Sequence, residues 1–99
     1  MLLKFKITME EIATKLRRIR EIYGYSQDYV ADRLGISQPA YWQKENGKRV
    51  PSEERLEQIA ELYNLTVADL KMGELNTVLI KVHELQIEIL RKKIGQFQR

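Results

Sequence analysis

Apolar residues recur along this chain at helical spacing, and alternating β-branched runs are few. Ile12, Leu16, Ile19 and Tyr23 form an i, i+4, i+7, i+11 stripe that predicts a first helix, and Gly24 stops it. Just upstream, Thr8 and Glu11 have the form of a capping box, and Ile7 and Ile12 that of a hydrophobic staple. Ser26 caps a second, shorter helix with Val30, Ala31 and Leu34 facing inward and Gly35 at its end. Ser37 caps a third that runs to about Glu45, where Asn46-Gly47 breaks it. Pro39 fits that helix's first turn, whose N–H groups have no acceptor within the helix. Ser52 opens a fourth helix with the stripe Leu56, Ile59, Ala60 and Tyr63. Thr66 caps a last short turn containing Leu70, and Gly73 closes the compact part.

Residues from Glu74 to about Ile94 predict one long helix with two apolar lines. Leu75, Val78, Val82, Leu85 and Ile89 follow a/d spacing, which marks them as a dimerisation seam; Ile80, Ile87, Leu90 and Ile94 lie on a different face. A helix of roughly 20 residues that is apolar on two faces is not stable alone in water. It must bury those faces on its own domain, on a second copy, or on a partner protein. The expected organisation is an N-terminal arm over residues 1–8, a compact helical domain over 9–72 and a C-terminal helical element over 73–99.

Composition narrows the function classes more than the fold. With 43% hydrophobic and 31% charged residues, the 99-residue chain suits one globular unit. It has no cysteine, which removes disulfides and thiolate metal sites and suits a reducing cytosol. His83 is the single histidine, so no metal or other cofactor is expected. Glu53, Glu54, Glu57 and Glu61 crowd one helix as a solvated face, and no nucleophile motif or phosphate loop occurs, so no enzyme is expected. No apolar run approaches about 18 residues, and "MLLKFKI" is too short and too charged for a signal peptide; a cytoplasmic protein without a membrane span is expected. Residues 1–50 hold ten Lys/Arg against six Asp/Glu, whereas residues 51–72 hold two against five. One side of the folded domain is therefore expected to be electropositive.

The stretch "GISQPAYWQKENGKRVPS" places Gln38, Gln43, Lys44, Lys48 and Arg49 close together, more polar and basic than a core helix requires. Two short helices separated by "GIS" have helix-turn-helix geometry, in which the first braces and the second enters the DNA major groove. With Ser26-Gln27, Ala31, Leu34-Gly35-Ile36-Ser37, Glu45-Asn46-Gly47-Lys48-Arg49 and Pro51 in order, residues 9–72 resemble the Cro/repressor-type (XRE-like) helix-turn-helix family. The resemblance implies an all-α, five-helix repressor-like domain, here followed by a long C-terminal helix. It implies a nucleoid-associated prokaryotic or phage regulator of transcription that binds a palindromic operator in double-stranded DNA as a homodimer, acting as a repressor that blocks polymerase or as an activator that recruits it.

Carried over residue by residue, the resemblance implies base contacts from Gln38, Pro39, Trp42 and Gln43. A glutamine suits adenine, and proline offers only apolar contact, unless Pro39 serves simply as a helix starter. It implies phosphate contacts from Gln27 at the second helix's start and from Asn46, Gly47, Lys48 and Arg49 in the following loop. Gln27 is alternatively an exposed first-turn residue. Arg20 and Glu45 would form a structural ion pair linking the first and third helices. Two positions depart from the family pattern: Lys44 stands where an apolar core residue is usual, and Trp42 where a small or polar one is. Either Lys44 runs its stem along the core while Trp42 covers the gap, or Trp42 faces DNA. A second functional reading is an antitoxin-like module whose C-terminal helix neutralises a partner protein and whose DNA binding is autoregulatory.

Overall fold

The computed structural model describes residues 9–97, which form six helices and, among the described residues, no strand. They are α1 (Met9–Tyr23), α2 (Gln27–Leu34), α3 (Gln38–Glu45), α4 (Glu53–Tyr63), α5 (Val67–Met72) and α6 (Leu75–Phe97). The all-α class, with five short helices and a long sixth, is the one the sequence predicts. The arm over 1–8, the cap at Thr8 and the staple from Ile7 lie outside the described residues.

Local chemistry explains most boundaries. The Ser26, Ser37 and Ser52 hydroxyls accept from the backbone N–H groups of Tyr29, Ala40 and Arg55 at 3.0, 3.2 and 3.1 Å. Each supplies an acceptor to one of the first-turn donors that a helix leaves unpaired. At α5 the cap is reciprocal: Thr66 accepts from the Asp69 N–H at 3.0 Å while Asp69 accepts from the Thr66 N–H at 2.9 Å. Gly35 ends α2 in the left-handed region at φ +71°, and Asn64 does the same for α4 at +57°.

The core lies where α1 meets α3, α5 and α6, and where α2 and α4 close over it. Ile12, Leu16 and Ile19 pack with Val30, Tyr41, Leu56, Ile59, Tyr63 and Leu70. Lys15, on the same side of α1, is 4% exposed; its amine donates to the carbonyls of Leu70 at 3.1 Å and Asp69 at 3.4 Å. Those carbonyls belong to the last turn of α5, where the Gly73 N–H also reaches the Asp69 oxygen at 3.2 Å and the Leu70 oxygen depends on Lys15. Burial holds the Lys15 pKa below the ordinary lysine range, despite the Glu11, Asp69 and Glu74 carboxylates nearby.

The two apolar lines of α6 part company. Val78 and Val82 are fully buried in the core and Leu85 packs against it, with Leu75 and Ile89 half-buried on the same face. Lys81 ties α6 to α5 through Asp69 at 2.7 Å. Heptad spacing alone assigns a dimer seam to Leu75, Val78, Val82, Leu85 and Ile89. In the fold, the short connection at Gly73-Glu74 delivers this line to α1 of the same chain, and Val78 and Val82 close that chain's own core. Ile80, Ile87, Leu90 and Ile94 stay exposed.

That connection has little room. A Cβ on Gly73 would stand 2.5 Å from Val78 Cγ2 and 2.6 Å from the Asp69 carbonyl oxygen. Gly73→Ala is therefore expected to destabilise the fold by about 1–3 kcal/mol. Thermal unfolding followed by circular dichroism reads this directly, and an unchanged melt would mean that the turn yields without disturbing Val78.

Candidate nucleic-acid interface

α2 and α3 are joined by Gly35-Ile36-Ser37. The Ile36 N–H returns to the Ala31 carbonyl at 3.0 Å and its side chain packs against the core, which fixes the angle between the two helices. On α3, Tyr41 and Glu45 point inward and are buried, four residues apart on one face. Pro39, Trp42, Gln43 and Asn46 fall on the opposite, exposed face at i, i+3, i+4 and i+7. Trp42 is 43% exposed, so a large part of its ring is open on this face. Tyr41 and Glu45 fix the inward face of α3, and Trp42 falls on the line of Pro39, Gln43 and Asn46 instead. Lys44 is half-buried, with its amine 3.5 Å from the Ala40 carbonyl. Burial, then the Arg55 and Arg49 cations, holds its pKa below the ordinary range.

Behind the exposed face runs a chain of polar side chains. Arg20 grips Glu45 with two parallel bonds, Nε to Oε2 at 2.7 Å and Nη2 to Oε1 at 2.9 Å, and a third bond reaches the Tyr25 carbonyl at 2.8 Å. Gln27 Nε2 donates to Glu45 Oε1 at 3.1 Å, and Gln38 Nε2 donates to Gln27 Oε1 at 2.7 Å. The Glu45 residue is 2% exposed. Burial alone would raise its carboxyl pKa, but Arg20, with the Tyr41 hydroxyl and Gln27 beside it, outweighs that and holds it below the ordinary carboxylate range.

The consequence is at Gln38. One of its two Nε2 hydrogens is committed to Gln27; the other, together with Oε1, remains free. A donor and an acceptor side by side on a fixed amide match N7 and N6–H₂ of adenine in the major groove. Spacing in the sequence does not reveal this contact, because Gln27 and Gln38 are 11 residues apart on different helices.

The turn after α3 is organised differently from a backbone clamp. The N–H groups of Lys48 and Arg49 both fold back to the Gln43 carbonyl, at 2.8 and 3.3 Å, and the Asn46 side chain donates to the Trp42 carbonyl at 3.0 Å. What faces outward is the charge of Lys48 and Arg49, both exposed, with Gly47 at φ +72° making the bend. Arg17 lines a cleft of about 160 Å³ with Asn46 and Gly47, so a cation of α1 stands beside the same turn. No feature of the sequence singles out Arg17 from its solvated neighbours.

Among the described residues, no cluster of His, Asp or Glu would hold a metal ion, and no helix is long and apolar enough to cross a membrane. A braced second helix, a third helix with a polar outer face and a basic turn behind it define a helix-turn-helix DNA-binding unit. The model of the helix-turn-helix family HTH_3 matches residues 16–70, and the chain belongs to that family, the DNA-binding regulators of XRE type. No curated protein and no solved structure matches the chain. α6 lies beyond the matched residues.

Proposed function

We propose that the chain is a homodimeric, sequence-specific regulator of transcription that occupies a palindromic operator in double-stranded DNA. The observation that carries this reading is the amide of Gln38, oriented by Gln27 on the buried Arg20–Glu45 pair at the tip of α3. α3 lies in the major groove; Gln38 reads adenine, and Gln43 reads the next base edge or a phosphate. Pro39 and Trp42 make apolar contact with thymine methyls or sugar. Gln27, Asn46, Gly47, Lys48 and Arg49 lie along the phosphates, with Lys48 and Arg49 supplying the charge. A single unit of this size buries too little for operator-level specificity, which favours two copies on half-sites about 34 Å apart. The domain over 9–72 reads DNA and the element over 73–99 assembles the dimer. The protein acts in the cytoplasm on the nucleoid as a repressor, without a cofactor and without catalysis.

Selection from random duplexes by the purified protein tests this: a two-fold symmetric motif is expected to be enriched. Enrichment of no motif, with binding that merely weakens as salt rises, would reduce the activity to phosphate contact. Lys48→Ala and Arg49→Ala are each expected to weaken binding to all duplexes alike and to lower the salt slope by about 1. A loss confined to the selected motif would instead make either residue a base reader.

The exposed line on α6 favours a second reading, an antitoxin-like module that neutralises a partner protein and autoregulates through DNA. A monodisperse dimer whose α6 is fully covered would remove its motive.

A further inference from the structure

Ile80, Ile87, Leu90 and Ile94 are large aliphatic side chains, each between 47% and 60% exposed. Their order is a, a, d, a of a heptad, with His83 at the intervening d position. The line lies roughly 140° around the helix from Val78 and Val82, which already hold α6 on α1. Because the helix is nucleated by its own domain, covering the line does not require a helix to form first. Beyond Leu90, residues 91–96 are exposed on every side, so the last turns of α6 rest on nothing in their own chain. Towards the other end, the line runs beside a cleft of about 340 Å³ between α1 and α6, lined by Arg18, Glu21, Ile22, Leu79 and His83.

Beyond Lys81, which is paired with Asp69, charge along α6 is segregated: Glu84 and Glu88 precede Arg91, Lys92 and Lys93. A copy aligned in parallel would set Arg91, Lys92 and Lys93 of both chains side by side. Glu84 would then face the partner's Leu79, and Arg91 the partner's Gln86, with no ion pair on either flank. An antiparallel copy puts acidic against basic twice.

Resting on the homodimer reading, we propose that the occupant of this line is the α6 of a second copy of this chain, running antiparallel. Ile87 of each copy packs beside the partner's Leu90, and His83 beside the partner's Ile94. Glu84 of each meets the partner's Arg91 at the flank facing away from the domain. The partner's last turns then lie along the cleft between α1 and α6, which gives residues 91–96 of each chain a bed. The two-fold axis crosses α6 between residues 88 and 89.

Charge exchange tests the orientation with full-length protein, since Glu84 and Arg91 are both exposed and neither carries a core contact. Sedimentation equilibrium at about 50 µM is expected to show a wild-type dimer. Glu84→Arg alone sets two cations against the partner's Arg91 residues, and Arg91→Glu alone sets two carboxylates against the partner's Glu84 residues. Each is expected to raise the dimer dissociation constant about tenfold or more, with unchanged helical content. An equimolar mixture of the two variants restores wild-type dissociation, because in the heterodimer the introduced arginine meets the introduced glutamate and the native Arg91 of one chain meets the native Glu84 of the other. Only an antiparallel seam gives this rescue. A wild-type dimer indifferent to both substitutions, or weakened by both without rescue on mixing, overturns the antiparallel seam and leaves the homodimer standing. A wild-type monomer at that concentration overturns both, and leaves the apolar line to a different protein.

Discussion

Replacing Arg20 with alanine is expected to lower the unfolding free energy at pH 7 by about 3–5 kcal/mol. The Glu45 side chain is 1% exposed and receives two of its three bonds from Arg20, so the variant retains a buried carboxylate with no paired cation and one remaining bond, from Gln27. The Tyr25 carbonyl loses its guanidinium donor as well. The pH dependence should change sign. In the wild type the Glu45 carboxyl is held below its ordinary value, so its contribution is complete above the unfolded pKa of about 4.3 and is lost as pH falls through the lower folded value. In the variant, burial acts against the charged form with little left to oppose it, and the folded pKa rises above the unfolded one. The folded state then binds more protons than the unfolded state, and stability falls as pH rises from about 4. Urea denaturation at intervals from pH 4 to pH 7 should therefore show the two proteins closest in acid and furthest apart at neutrality. Parallel profiles, or a loss under about 1 kcal/mol, would mean that Glu45 is solvated or re-paired when Arg20 is gone.

The same pair shows what a sequence of this kind discloses and what it withholds. Ser26, Ser37, Ser52 and Thr66 announce their helices because capping is a transaction among residues three apart, and nothing distant can overrule it cheaply. The core stripes of α1 and α4 are legible for the same local reason. Decisions that depend on how helices meet are not. Both lines of α6 have heptad spacing, and only the turn at Gly73 decides which of them α1 covers. Lys15 carries no signal of its own in the sequence; its burial is set by the end of α5, where its amine meets carbonyls 54 and 55 residues away. Trp42 stays ambiguous in the sequence even with Tyr41 in the core, and its 43% exposure is set by how α3 packs against the other helices. In the candidate interface, glutamines at the starts of α2 and α3 suggest readers by residue type. Their mutual bond, and the inward folding of the Lys48 and Arg49 N–H groups, exist only in the packed structure.

On the selected operator, Gln38→Ala is expected to cost about 1–3 kcal/mol at each half-site, roughly 5- to 150-fold in affinity per copy bound. The substitution removes no charge, so affinity for unrelated duplexes and the salt slope should stay at wild-type values. Specificity would relax at one symmetric pair of positions, expected to be adenine, with the rest of the motif intact. Gln27→Ala offers the sharper comparison. It leaves Gln38 with the same chemistry but frees its amide, which must then be immobilised on binding at about 0.5–1.5 kcal/mol. It also takes one donor from Glu45, so unfolding must be measured beside binding to separate the two effects. If Gln27 acts on specificity through Gln38, removing it from a protein that already carries Gln38→Ala should change the operator-to-random ratio little further. The two substitutions would then be strongly non-additive. Additive losses in that ratio would give Gln27 a base contact of its own, whereas an equal loss on operator and random DNA would mark it as a phosphate ligand at the start of α2. A Gln38→Ala protein that weakens on operator and random DNA alike would remove Gln38 from base reading, and recognition would pass to the outer face of Pro39, Trp42 and Gln43.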